Sequence, residues 1–364
     1  MAKLSRRKLL KRSAVAATAA WAAGPLRGLA APAIGKGTTL TVSVWGGVTE
    51  DSVKAFVEPE FTKQTGASIA YDIGGVGARY NKLLAQKTNP TTDVFFGGDE
   101  TVISGHKAGV LMPARRKAIS NHADIEPWAW RVKAGATDET VGSVPFCLIA
   151  YVLAYNPEQM KTPPTSWADM WRPEFADKLA FASVVHSQMP GFVIMAAELA
   201  GGSATNVDPG FKKLAELRPA KLTVFWTDWV SLLKSGEVTI ATEFDYYLET
   251  MKVEKHPIEY VVPAEKGFAN VQHVALVNGT RNQELGEVFL DLMASAPAQT
   301  AFAKETFQGP INRKVVLSEA EKAKCSCGAK VEQLRFLDAE LASLVRPAWT
   351  ERFNTDVLPH WRTR

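Results

Sequence analysis

Residues 39–66 read TLTVSVWGGVTEDSVKAFVEPEFTKQTG, and the change of period inside them decides the fold class. Apolar and polar side chains alternate from Thr39 to Trp45, the pattern of a strand with one buried face. Gly46-Gly47 interrupts it, apolar residues then recur at helical spacing between Glu50 and Gln64, and Gly66 stops the run. The unit repeats at once: residues 67–73 predict a second strand, 79–86 a second helix, and 93–96 (DVFF) a third strand ending at Gly97-Gly98. Strands alternating with helices in this way predict an α/β lobe around a largely parallel sheet.

Further along, residues 143–156 (SVPFCLIAYVLAYN) form an apolar run interrupted by Pro145. The run is longer than a strand confined to one lobe needs, so it is expected to link two. Thr165 or Ser166 caps a short helix through Trp171. The pattern then predicts a strand at 178–183, a helix at 191–200, a strand at 238–242, and returning strands at 258–263 and 271–277. Leu285, Val288, Phe289, Leu292 and Met293 give 283–301 the period of one helix. A chain of 364 residues exceeds what one hydrophobic core organises. The expected division is 38–147 plus 271–364 for lobe 1 and 148–270 for lobe 2.

Residues 1–33 are expected to be an address and not part of the fold. Lys3, Arg6, Arg7, Lys8, Lys11 and Arg12 precede a short apolar run at 14–23, Gly24-Pro25 ends it, and small residues suited to cleavage follow. That run is about half the length of a membrane-spanning helix, which predicts a cleavable signal peptide. Ser5-Arg6-Arg7-Lys8-Leu9-Leu10-Lys11 resembles the motif read by the twin-arginine export machinery. The leader also distorts the charge. Residues 1–30 hold seven of the 42 Lys and Arg and none of the 38 Asp and Glu, so the remainder carries 35 basic against 38 acidic residues. A net charge of +4 becomes −3, and no basic footprint for nucleic acid is left.

Chemistry-bearing motifs are sparse. The sequence has no G-x-S-x-G elbow, no H-E-x-x-H and no phosphate-binding G-x-x-x-x-G-K-[ST], and its six histidines show no metal-ligand spacing. Gly74-Gly75-Val76-Gly77 opens like a dinucleotide loop but reads as a strand-to-helix turn. Cys147 lies in the apolar run as a small buried hydrophobe, and Cys325 and Cys327 are expected to be an exposed thiol pair. No cofactor is expected.

What stands out instead is a set of aromatic and acidic residues at the ends of predicted strands, where open α/β sheets bind ligands. Trp45 ends the first strand and Asp99 and Glu100 follow the third. Trp226 and Asp228 follow a strand at 221–225, and Glu243-Phe244-Asp245-Tyr246-Tyr247 follows 238–242. Ring faces and carboxylates both attract cations, so this lining suits an amine or a hard metal ion. Gln272, on the returning run, joins the set.

The segment from Pro164 to Phe175 (PTSWADMWRPEF) resembles one in periplasmic spermidine/putrescine-binding proteins, as do Ser143-Val144-Pro145-Phe146, Gly236-Glu237-Val238 and Gly309-Pro310-Ile311-Asn312. Residues 89–96 (NPTTDVFF) resemble the ferric-ion binders of the same group. The resemblance spans the chain after residue 33. It implies a type II periplasmic binding-protein fold, two α/β lobes joined by crossover strands with a ligand cleft between them. It also implies a periplasmic receptor, not an enzyme, that passes a small molecule to an ABC permease in the inner membrane.

For the site, the resemblance implies that Trp45 stacks on the ligand, that Asp228 lies near the cleft and that Asp245 partners an ammonium group. A polyamine or other cationic amine is the first expectation for the cargo. Where polyamine binders carry acidic residues, this chain has Val184-Val185-His186-Ser187-Gln188. Tyr246-Tyr247 resemble the paired tyrosines of the ferric-ion binders, phenolate being a hard ligand for a hard cation. An anionic phosphonate would instead call on Arg79, His186 and backbone N–H groups. Aminophosphonate and thiamine binding share the scaffold, and an exported enzyme with an unrecognised site is the rival class.

Overall fold

A computed structural model describes residues 34–184, 186–223 and 226–362. The expected signal peptide and twin-arginine motif lie outside the described residues, as does the side chain of Trp226.

Thirteen strands can be followed among the described residues. β1 (Thr39–Val44), β2 (Ser68–Ile73) and β3 (Val94–Gly98) are mutually parallel in the order β2-β1-β3, as the alternation predicted. Short strands β4 (Leu111–Met112), β5 (Ala114–Arg115) and β6 (Thr140–Val141) lead to β7 (Val144–Tyr155). β8 (Leu179–Ala182), β9 (Pro219–Thr223) and β10 (Ile240–Phe244) repeat the parallel arrangement in the order β9-β8-β10. β11 (Glu259–Val261), β12 (Gly267–Val277) and β13 (Leu334–Phe336) complete the set. One curled sheet runs β2-β1-β3-β12-β7-β10-β8-β9.

β7 and β12 join the two halves. Every residue of β7 is buried, which explains why its sequence is continuously apolar and does not alternate. β12 pairs antiparallel with β3 through residues 272–276 and with β7 from Phe268 to Val274, while β7 pairs with β10 through residues 151–155. Pro145 does not end β7 early. It sits opposite His273 where the register shifts, with Gln272 paired to Cys147 and Phe146 left as the extra residue. A bulge needs no ladder N–H at that point and adds twist, which suits the passage from one lobe to the next.

Two local expectations change. The periodic stretch 283–301 is two helices, Gln283–Ala294 and Ala296–Thr306, broken at Ser295 in an extended conformation. Ser295 caps the second helix through the Ala298 N–H, and Pro297 in its first turn favours a start there. The strand expected at 238–242 runs two residues later and takes in Glu243 and Phe244.

The Trp167 segment that carries the family resemblance is an anchor of lobe 2. Ser166 caps a 3₁₀ helix (Trp167–Trp171) in a capping box with Asp169. The Glu265 carboxylate accepts from Ser166 Oγ and from the Trp167 N–H, and Trp167 Nε1 donates to the Lys266 carbonyl at 2.8 Å. The fully buried indole stacks on Phe268 of β12 at 5.2 Å.

The chain after β12 straps the halves together. Leu148 and Gly309 exchange backbone hydrogen bonds at 2.8 and 2.9 Å, and Gln299 Oε1 accepts from the N–H groups of Ile311 and Asn312. β13 lies parallel to β12, and the helix Ala339–Asp356 then packs on the helices Asp99–Lys107, Met189–Leu199 and Asp208–Ala215. A Cβ on Gly309 would stand 2.0 Å from the Ser326 carbonyl oxygen and 2.8 Å from that of Leu148. Gly309→Ala is therefore expected to cost about 3 kcal/mol of unfolding free energy. Urea denaturation reads this as a lower midpoint; an unchanged midpoint would show that the strap is not held there.

Candidate ligand-binding site

In lobe 1 the site begins where β1 ends. Trp45 is half-buried, meets Phe96 edge-on at 6.1 Å and lies 4.9 Å from the Arg79 guanidinium carbon. Arg79 comes from the first turn of the helix Val76–Ala85 and curls back over the strand ends, only 3% exposed. Its Nε donates to the Gly74 carbonyl at 2.8 Å, and its Nη1 to those of Ser43 and Phe96, both at 3.0 Å. Nη2 is buried with no acceptor in reach. Burial draws the guanidinium down to about 9, although the charge of Asp72 works the other way.

The acidic residues after β3 are already engaged. Asp99 accepts from Arg131 Nε at 2.5 Å and lies 3.0 Å from His273 Nε2, whose other ring nitrogen reaches Ser143 Oγ. Glu100 forms a two-pronged pair with Arg346, which also donates to the carbonyls of His186 and Ser187. Gln272 is buried at the bulge and donates to Asn270 Oδ1.

Lobe 2 contributes an aromatic group around the end of β10. Tyr151 of β7 lies 4.9 Å from the His186 ring and 4.8 Å from Phe244, and its hydroxyl donates to the Thr242 carbonyl. Phe244 lies 6.1 Å from Tyr246, and Tyr246 lies against Tyr247 at 4.0 Å. Burial brings the His186 imidazole down to about 3, with Arg346 adding to the shift, so the ring is neutral at pH 7.

Asp245, which the resemblance makes an ammonium partner, is a buried tie within the protein. Its Oδ1 accepts from the N–H groups of Ala150 and Tyr246, and its Oδ2 from Ser326 Oγ at 2.5 Å. The tyrosine pair departs from a metal-ready arrangement as well. The Tyr246 hydroxyl donates to that of Tyr247, and burial pushes Tyr246 well above the usual phenol range and Tyr247 up to about 12. Among the described residues no group of three His, Cys, Asp or Glu side chains is placed to hold a metal. Cys147 is buried as expected, but Cys325 is buried too and donates to the Ala303 carbonyl, so the C-x-C segment is not an exposed pair.

Glu243, which the sequence offers only as part of the run 243–247, has a distinct setting in the fold. It is 3% exposed; its Oε1 accepts from the Phe244 N–H at 2.8 Å and its Oε2 from Trp229 Nε1 at 3.4 Å. No ion pair among the described residues joins it to a cation. Burial pushes the carboxyl up to about 7, against those two hydrogen bonds and with help from the charge of Asp228. Its own charge is felt at Tyr151, Tyr246 and Tyr247. The strand extends two residues beyond its sequence pattern, and that extension places Glu243 inside it.

A family model described as bacterial extracellular solute-binding protein matches residues 59–325. The chain belongs to that family. A Salmonella paratyphi A periplasmic protein named for 2-aminoethylphosphonate binding is 25% identical over 272 residues, 71% of this chain and 74% of the relative. Spermidine/putrescine-binding periplasmic protein 1 of Haemophilus influenzae is 27% identical over 241 residues, 64% of this chain and 65% of the relative. The solved structure of an ABC transporter protein from Clostridium perfringens superposes with a TM-score of 0.71 at 25% identity, covering 87% of this chain and 99% of the other. The solute-binding protein thus has the type II periplasmic fold, two lobes joined by crossover strands, and is the substrate-binding component of an ABC importer. It is a receptor and not an enzyme, with a small-molecule ligand and a membrane permease as partners.

The raised Glu243 carboxyl carries a pH signature. Both folded and unfolded chains hold its proton below about 4.5, and between there and about 7 only the folded chain does. Stability of the ligand-free protein should fall across that window, by on the order of 2–3 kcal/mol from this residue. Asp245, raised to about 6, adds a slope of the same sign from its ordinary 3.8 upward. Thermal unfolding at a series of pH values is expected to show a shallower fall in Glu243→Gln. Identical pH profiles would contradict the burial of this charge.

Proposed function

We propose that the solute carried by this receptor has one primary ammonium group, seated in lobe 2 against Glu243. The observation that carries the reading is a buried carboxylate with no cation beside it among the described residues. Such a group either keeps its proton or meets an incoming positive charge, because an isolated buried charge is costly. Asp228 adds negative potential nearby, while Phe244, Tyr246, Tyr247 and the neutral His186 supply ring faces that favour a cation.

Both relatives described above are named for amines, one with a phosphonate and the other without. A diamine needs a second carboxylate at a distance from the first; Asp99, Glu100 and Asp245 are engaged with Arg131, Arg346 and Ser326, and Asp228 acts on the same spot as Glu243. One ammonium group therefore fits better than two. Ferric iron would have to displace the phenol protons of Tyr246 and Tyr247, both held more tightly by burial.

In this reading the lobes, 38–147 with 271–364 and 148–270, close over the solute about β7 and β12. Contacts from both sides favour the closed form, which the permease recognises. Residues 1–33 direct the chain to the periplasm through the twin-arginine machinery and are removed there.

Thermal-shift and calorimetric titration of the protein lacking residues 1–33 test this. Primary amines should stabilise it where alcohols of the same length do not, with affinity rising between pH 6 and 8 as Glu243 ionises. Glu243→Gln should weaken amine binding by roughly tenfold or more. Amine affinity unchanged in Glu243→Gln, or amine consumed with a product appearing, would overturn the reading.

A further inference from the structure

The helix Ala339–Asp356 touches both halves of the sheet, and its hydrogen bonds, ion pairs and ring contacts divide at Pro347. Ahead of the proline they go to the helix Asp99–Lys107, which follows β3. Lys107 Nζ reaches Ser343 Oγ at 3.1 Å and pairs with Glu340 at 2.5 Å, and Arg346 pairs with Glu100. Past the proline they go to the helix Asp208–Ala215, which leads into β9. Trp349 meets Phe211 edge-on at 6.2 Å, and Arg352 lies 4.2 Å over the same ring and pairs with Asp208 at 2.6 Å. Trp361, in the short helix Leu358–Arg362 that follows, donates to the Leu214 carbonyl at 3.0 Å.

Arg346 stands at the crossing and holds both sides itself. Its Nη2 donates to Glu100 Oε2 at 2.6 Å and to the Ser187 carbonyl at 2.7 Å, and its Nη1 donates to the His186 carbonyl at 3.2 Å. Glu100 belongs to the turn after β3, and the two carbonyls belong to the turn between β8 and the helix Met189–Leu199. The His186 ring on that second turn lies 4.9 Å from Tyr151 and 5.4 Å from Phe244, so the backbone that Arg346 holds carries part of the aromatic group of the candidate site. The next residue, Pro347, is exposed and lacks the N–H that would bond the Ser343 carbonyl. A helix missing one rung bends there more readily than elsewhere.

We propose that Arg346 is a clasp and Pro347 a flexure that together set the spacing of the two halves before any solute arrives. Arg346 acts as a positioning residue, tying Glu100 of one half to the turn 186–188 of the other. To move the halves apart, the chain must give up one set of these bonds or bend the helix at Pro347. The apparent affinity of a receptor scales with the fraction of molecules already in the binding arrangement, so the clasp tunes affinity without touching the solute. This inference goes beyond the amine reading and does not depend on it.

The distance between spin labels on Lys63→Cys and Lys234→Cys, exposed positions in opposite halves, tests the clasp in solute-free protein lacking residues 1–33. Cys327→Ser removes the one cysteine that is not buried. Arg346→Gln should lengthen the mean distance and broaden its distribution roughly twofold. Arg346→Lys should recover part of that change, because an ammonium group lacks the planar fork that serves a carboxylate and two carbonyls at once. Pro347→Ala restores the missing rung and should narrow the distribution. A lower urea midpoint in Arg346→Gln with an unchanged distribution overturns the clasp, since Arg346 would then only stabilise the fold. An unchanged distribution in Pro347→Ala overturns the flexure. Should Arg346→Gln not fold, Arg346→Lys decides the clasp in its place: a broader distribution than in the unmodified protein upholds it, and the same distribution overturns it.

Discussion

The antiparallel pairing of β7 with β12 is the constraint on which the rest of the molecule depends. These strands are 12 and 11 residues long and each is shared by both lobes. Their side chains are buried almost throughout, so the link between lobes is itself core. A bulge at Gln272 and His273 takes up the change of register between one half and the other. The two halves are therefore continuous through one backbone ladder, with no flexible linker between them at this point.

The chain beyond residue 306 adds a second tie that spans the lobes without entering the main parallel strands. Leu148 and Gly309 hold each other by backbone hydrogen bonds, and Ser326 reaches Asp245. Arg346, on the helix Ala339–Asp356, joins Glu100 of one half to the carbonyls of His186 and Ser187 in the other. A bidentate guanidinium–carboxylate pair with two further carbonyl acceptors is fully directional. It also removes Glu100 and the His186 backbone from the pool of ligand contacts.

Two buried charged groups are left with unmatched charge or donors among the described residues, Glu243 and Arg79. The solute-binding family needs no catalytic constellation, only a difference in free energy between open and closed lobes. A buried charge without a partner is costly until a complementary group arrives. Glu243 and Arg79 stand at opposite ends of this arrangement, one with its carboxyl pushed up and the other with its guanidinium pulled down by the same cause, burial.

The sequence by itself determined the α/β alternation, the crossover run at 143–156, and the family through the segment around Trp167. Each of these is written in neighbouring residues: a period of two or 3.6, a glycine stop, a capping serine with Asp169 three positions on. Tertiary structure alone decided which polar groups are spoken for. Asp99, Glu100 and Asp245 stand at strand ends, and the partners they meet there, Arg131, Arg346 and Ser326, lie 32, 246 and 81 positions away. Glu243 and Arg79 passed through folding with unspent charge or donors, and no local pattern records that. Periodicity is a property of adjacent side chains, whereas the state of a buried charge depends on whatever the fold brings against it.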